Sequence, residues 1–143
     1  FGSATTCISL TASLTNGNVA GGTTVLDNST TLYPFAVATF NNPDTFGAAP
    51  TNNSTIDLYM VRQDVDGTSD DTAAPTTTDV ESAEYVGSFL VYDTDEEQRK
   101  TITISLNGVQ KAHFYIFNNT GQTITYSAGA ITVKVTPFTY EDA

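Results

Sequence analysis

Three runs in the second half of the chain set the pattern from which the rest is read. In T-I-T-I-S-L, Ile102, Ile104 and Leu106 alternate with Thr101, Thr103 and Ser105; in I-T-V-K-V-T, Ile131, Val133 and Val135 alternate with Thr132, Lys134 and Thr136. A period of two sends successive side chains to opposite sides of a pleated strand, so each run predicts a strand with one face on a core. Between them A-H-F-Y-I-F, from Ala112 to Phe117, has no polar face. Its β-branched and aromatic content predicts a central strand, covered on the second face by aromatics, neighbouring elements or a partner chain.

The same alternation recurs upstream. Residues 5–15 carry Cys7 or Ile8, then Leu10, Ala12 and Leu14, and predict a first strand; Val25 and Leu26 predict a short one. Over 35–40, Phe35, Val37 and Thr39 share one face and Ala36, Ala38 and Phe40 the other, with Pro34 marking an edge, a strand start or a bulge because it has no amide to donate. In I-D-L-Y-M-V-R the core set is Ile56, Leu58 and Met60, with Asp57, Tyr59 and Val61 outward. In E-Y-V-G-S-F-L-V-Y, Tyr85, Gly87, Phe89 and Val91 oppose Val86, Ser88, Leu90 and Tyr92. Seven to nine strands with almost no helix predict an all-β fold, an antiparallel β-sandwich of jelly-roll type, with a barrel as the weaker alternative. No repeat suggests a solenoid.

A chain of 143 residues with one composition regime predicts one domain: a strand and flexible arm over 1–22, and the remainder of the same sandwich over 23–143. Gly17, Gly21 and Gly22 make that arm a turn or an adjustable segment. Residues 41–54 read as a loop, with Phe46 either folded back over the sandwich or pressed on another chain. The apolar pattern also lapses from residue 63 to 82, a gap of about 20 residues and longer than loops usually run, which makes it a functional candidate.

Charge narrows the partners. Sixteen acidic side chains against five basic ones give −11, so nucleic acid and anionic membrane should be repelled. No run approaches the roughly 18 apolar residues that span a bilayer, and the first residues show no basic and apolar leader pattern; a leader already removed would look the same, so secretion stays open. Cys7 is the one cysteine and reads as a small buried hydrophobe in a fold that holds without a disulfide, which fits assembly in a reducing cytoplasm.

Candidate chemistry is sparse. Asp64, Asp66, Asp70 and Asp71 around a glycine resemble the opening of a calcium loop, but the regular spacing and closing Glu are missing, and a solvated acidic loop is the plainer reading. Asp93, Asp95, Glu96 and Glu97 repeat the ambiguity, with Arg99 and Lys100 as local counter-charges. His113 is the single histidine, without a second His or Cys to complete a zinc site, and reads as a strand histidine on a sheet face or interface. Asn28, Asn52, Asn53 and Asn118 head N-x-S/T triplets, which a chain this rich in Asn and Thr produces by chance. Nucleophile-elbow, phosphate-loop, dinucleotide and metalloprotease motifs are all missing, so neither an enzyme nor a resident cofactor is expected.

The stretches I-D-L-Y-M-V-R-Q-D-V-D-G-T, Y-V-G-S-F-L-V-Y-D and F-Y-I-F-N-N-T-G-Q-T-I-T-Y-S-A-G-A-I-T-V-K-V-T-P resemble a family of small tailed-phage virion proteins. The resemblance runs from Thr55 to Pro137, rests on strand punctuation, and leaves Phe1 to Thr31 unmatched. It implies a decoration or cement protein that sits outside the head, binds the major capsid protein and forms a homotrimer, with no catalytic residues. Phe1, Phe46, Gly21, Gly22, His113 and Tyr115 are then the interface candidates. A tail or fibre component is the neighbouring reading. A carbohydrate-binding sandwich is the rival from another class, with Tyr59, Tyr92 or Tyr115 as its platform.

Overall fold

The structure is a computed structural model and describes residues 1–63, 70 and 72–140. Among the described residues nine strands run in chain order: β1 (Thr5–Leu10), β2 (Val19–Gly21), β3 (Leu26–Asp27), β4 (Phe35–Asn42), β5 (Thr55–Arg62), β6 (Glu84–Leu90), β7 (Gln98–Ser105), β8 (Lys111–Asn119) and β9 (Ile131–Phe138). They form two antiparallel sheets, β1-β9-β4-β7 and β2-β8-β5-β6, with β3 also on β8. With the two-residue β3 set aside, the pairing is nested: β1 with β9, β2 with β8, β4 with β7, β5 with β6. That is one long antiparallel ribbon, bent between β5 and β6 and rolled so that successive rungs fall alternately in the two sheets. The predicted all-β sandwich is therefore a jelly roll.

The core lies between the sheets. Ala36, Ala38 and Phe40 are the inward set of β4, and the Phe40 ring meets that of Phe89 from β6 at 5.7 Å between centroids. Ile56, Leu58 and Met60 of β5, Ile104 of β7, Phe114 and Ile116 of β8, and Ile131, Val133 and Val135 of β9 complete it. Burying a side chain of this size contributes about 1.5–3 kcal/mol, so the alternation seen in the sequence accounts for much of the cohesion.

Four local readings change. Cys7 and Ile8 are both buried, because the β1 register slips between Thr6 and Ile8 and the extra residue, Cys7, turns inward as well. A second slip, between Leu58 and Tyr59 against β6, reverses the phase of that strand, so Tyr85 stands beside Tyr59 on the outer face and not with Phe89. Val61, expected outward, is 1% exposed. The glycine-rich segment expected to be a turn or adjustable arm contains β2, laid against β8.

Candidate functional site

The outer face of β8 was the one strand face the sequence left without an obvious cover. His113, Tyr115 and Phe117 stand on it, and Val19, Val61, Val80 and Ala83 pack around Tyr115 to make a second, smaller apolar cluster. Part of the cover is the chain between β5 and β6: the Val19 amide donates to the Thr77 carbonyl at 2.7 Å, tying that connection to β2. Gly21 and Gly22 permit the close approach. A Cβ on Gly21 would lie 2.5 Å from the Phe114 carbonyl oxygen, and one on Gly22, at φ +68°, would lie 2.6 Å from the Tyr115 hydroxyl oxygen. Burial, with the Asp70 charge in support, raises the Tyr115 phenol above its usual range. His113 Nδ1 and Asp70 Oδ1 are 3.0 Å apart. Four of the six interface candidates, Gly21, Gly22, His113 and Tyr115, thus meet at one place, and the chain itself fills it.

Phe46 is 3% exposed and belongs to the main core. Of its two expected fates it takes the fold-back, helped by the Phe46 amide donating to the Asp95 carbonyl and by its bridge to Ile124. It presents no ring to a partner. Of the calcium candidates, Asp64, Asp66 and Asp71 lie outside the described residues, while Asp70 is engaged with His113. No group of three or more metal-ligating side chains occurs among the described residues, the 93–97 acids included. Arg99 and Lys100 do not pair with those acids: the Lys100 ammonium sits 3.2 Å above the centre of the Tyr92 ring. Asp44 is held below the usual carboxylate range by accepting the Ser127 amide, and the Ala128 and Gly129 amides add to it.

Phe1 is different. Its ring is 87% exposed and begins an array in which Phe1 meets Phe138 at 5.6 Å, Phe138 meets Phe35 at 5.7 Å, and Tyr140 meets both Phe35 and Phe138 at 5.4 Å. β4 and β9 put Phe35 opposite Phe138, and the Gly2 amide donates to the Pro137 carbonyl at 2.7 Å, which fixes Phe1 beside them. A cleft of about 450 Å³ opens alongside, with Phe1, Tyr33 and Pro137 among its walls and Asp27, Thr30 and Thr31 supplying oxygens. Leu32, 53% exposed, holds a left-handed backbone at φ 54° in the same connection. Large exposed rings beside a strained turn are what a contact surface looks like before it is covered.

The chain matches no family model, no curated protein and no solved structure. The geometry alone therefore ranks the sites, and the ring array outranks the filled face of β8. A second open region lies between the edge strands β6 and β7, where Tyr92 and Leu90 are exposed beside Asn53, Ser88 and Thr101 in a groove of about 360 Å³.

Two residues that had no assigned role organise the loops. Asn118 is fully buried: its Nδ2 donates to the Leu14 and Gln122 carbonyls at 2.9 and 2.8 Å, while Oδ1 accepts from the Thr120 amide and hydroxyl. Asn28, 3% exposed, bonds the Tyr33 and Val109 carbonyls and the Tyr33 amide. Both side chains are turned inward and bonded, which closes their N-x-T triplets to a glycosyl transferase in the folded chain; for Asn118 the signal available in the sequence was the hydroxyl of Thr120 two residues on, whereas Asn28 makes no bond to Thr30.

Proposed function

We propose that this chain is a structural binding module of a tailed-phage virion, one that adds to the outside of an assembled head, binds the major capsid protein and stiffens the shell. The observation that carries the reading is the array of Phe1, Phe35, Phe138 and Tyr140 at one end of the jelly roll, in which exposed Phe1 and Tyr140 stand against half-buried Phe35 and buried Phe138. Aromatic side chains bring a large apolar area with few rotors to lose, so a small end-on contact can still bind. The jelly roll is an architecture used by viral shell domains, and also by lectins, so it supports the reading without selecting it. As a homotrimer on a local three-fold axis, three such ends would engage together, and avidity would replace area. The protein would be assembled in the host cytoplasm, carry no reaction, and reside on the outer capsid surface.

Co-sedimentation with heads lacking the protein tests this directly. Saturable binding at symmetry-related outer positions and greater resistance of the heads to heat are expected, and Phe1→Ala with Tyr140→Ala should weaken binding about tenfold or more while leaving the melting temperature close to the parent's. Confinement to tails would move the assignment to a tail or fibre component. One observation favours the carbohydrate reading: Tyr92 and Tyr85, 61% and 57% exposed, flank the β6–β7 side, where Ser88 also donates to Asp57. Tight glycan binding without head association, lost in Tyr92→Ala, would establish that reading instead.

A further inference from the structure

The charge of this protein is unevenly placed. Strands β1, β4, β7 and β9, the whole of one sheet, contain no Asp or Glu. They hold Arg99, Lys100 and Lys134, three of the five basic residues of a chain that carries −11 overall. The other two, Arg62 and Lys111, belong to the second sheet and are paired there with Glu84 and Asp27. Arg99 and Lys134, both exposed, have no ion-pair partner among the described residues.

The register places them around one spot. On the outer face of β4, Thr39 lies opposite Thr101 on one side and Lys134 on the other, and Asn41 lies opposite Arg99 and Thr132. Arg99 and Lys134 therefore stand diagonally across a single intervening strand, two strand spacings across and two residues along, or roughly 12 Å between backbones, a distance their long side chains readily bridge. Thr39, Asn41, Arg99, Thr132 and Lys134 enclose a notch of about 90 Å³. The surrounding face is a flat field of hydroxyls in which Thr39 and Thr101 bond each other at 3.1 Å.

We propose that this face docks an acidic protein surface and that the notch receives one of its carboxylates. Two cations, two hydroxyls and an amide converge on a space of carboxylate size, and a guanidinium offers the paired donors a carboxylate accepts best. Charge complementarity selects the partner: a field of −11 opposes any extended polyanion, but a single protein carboxylate arriving at the one sheet whose strands are free of acids meets Arg99, Lys134 and hydroxyls first, with the nearest carboxylates, Asp44, Glu96 and Glu97, beyond the strand ends around a neighbouring cleft. The inference goes beyond the shell reading and does not need it, because the notch lies at the Thr39–Asn41 end of the outer face of β4 and the rings at its Phe35 end, four residues or roughly 13 Å away.

An amide-resolved NMR titration of the full chain with a synthetic peptide alternating Glu and Thr tests it. Saturable shifts grouped at Thr39, Asn41, Arg99, Thr132 and Lys134 are expected. They should weaken about tenfold for the Gln counterpart of the peptide and for the Arg99→Gln, Lys134→Gln double variant, with Arg99→Lys retaining part of the affinity. Both side chains are exposed, and an unchanged melting temperature would confirm that the variant is folded. Equal shifts with inorganic phosphate at matched ionic strength would overturn the proposal in favour of a generic anion spot, as would shifts that scatter or survive the double variant. Self-association abolished by the same substitutions would overturn it in favour of a second copy as occupant.

Discussion

Asn118 shows how much one polar side chain can hold. Its amide joins the Leu14 segment, the turn after β8 and Thr120, and all four of its bonds lie in or near the interior. Asn118→Ala would leave the buried Thr120 amide without an acceptor, while the Leu14 carbonyl keeps the Ile124 amide and the Gln122 carbonyl keeps the Thr120 hydroxyl, so a loss of about 1–3 kcal/mol is expected, read as a lower urea midpoint with an unchanged slope. Asn118→Asp should cost more, because it points a carboxylate oxygen at the same two carbonyls. The sequence marks this residue only by the hydroxyl two positions on; its bond to Leu14, across 104 residues, leaves no local pattern to read.

Among the elements, legibility followed exposure of one face. β5, β7 and β9 each keep a solvent side or a polar side, so alternation identified their inward residues: Ile56, Leu58, Met60, Ile104, Ile131, Val133 and Val135. It failed where the two-residue period breaks or where a second layer arrives. The slips at Cys7 and at Val86 change the phase within a strand, and no composition signal marks them. Val61 is buried on the outer face of its sheet, in the small cluster that Val80 and Ala83 help close, a contact made by a segment that itself carries no apolar pattern. β2 was hidden for a related reason: its glycines, read as freedom, are the residues that let the backbone lie against Tyr115. Gly22→Ala must hold a left-handed backbone and displace the Tyr115 ring, so a destabilisation of about 1–3 kcal/mol is expected, with amide exchange rising first along β2 and the outer edge of β8.

For the whole molecule, the buried titratable groups set how stability varies with pH. Burial pushes the Cys7 thiol from 9.0 up to about 12. The unfolded chain releases that proton first, so the contribution of this group is whole below pH 9 and falls as pH climbs from 9.0 toward about 12, at no more than about 1.4 kcal/mol per pH unit. Tyr59 and Tyr115, both raised chiefly by burial, act in the same direction at higher pH. Urea melts between pH 8 and 11 should show the decline, and in Cys7→Ala the portion that begins near pH 9 should vanish while the later portion stays. The site was less legible than the fold at this scale. Ring arrays and charge-sorted sheets are properties of residues brought together by topology: Phe1, Phe35 and Phe138 are far apart in sequence, and Arg99 meets Lys134 only across β4.

The nested ribbon also imposes an order in time. Its innermost rung, β5 with β6, closes the shortest stretch of chain, and each rung outward must enclose all those before it, until β1 meets β9 across all the strands between them. Loop closure costs more as the enclosed length grows, so assembly should start at the bend and finish with the first strand. On a ribosome the first strand would then wait, exposed, for a partner that has not been synthesised. In stopped-flow experiments Leu58→Ala should slow folding, whereas Val133→Ala, on the last rung, should chiefly speed unfolding; the opposite assignment would mean that the roll closes from its open end.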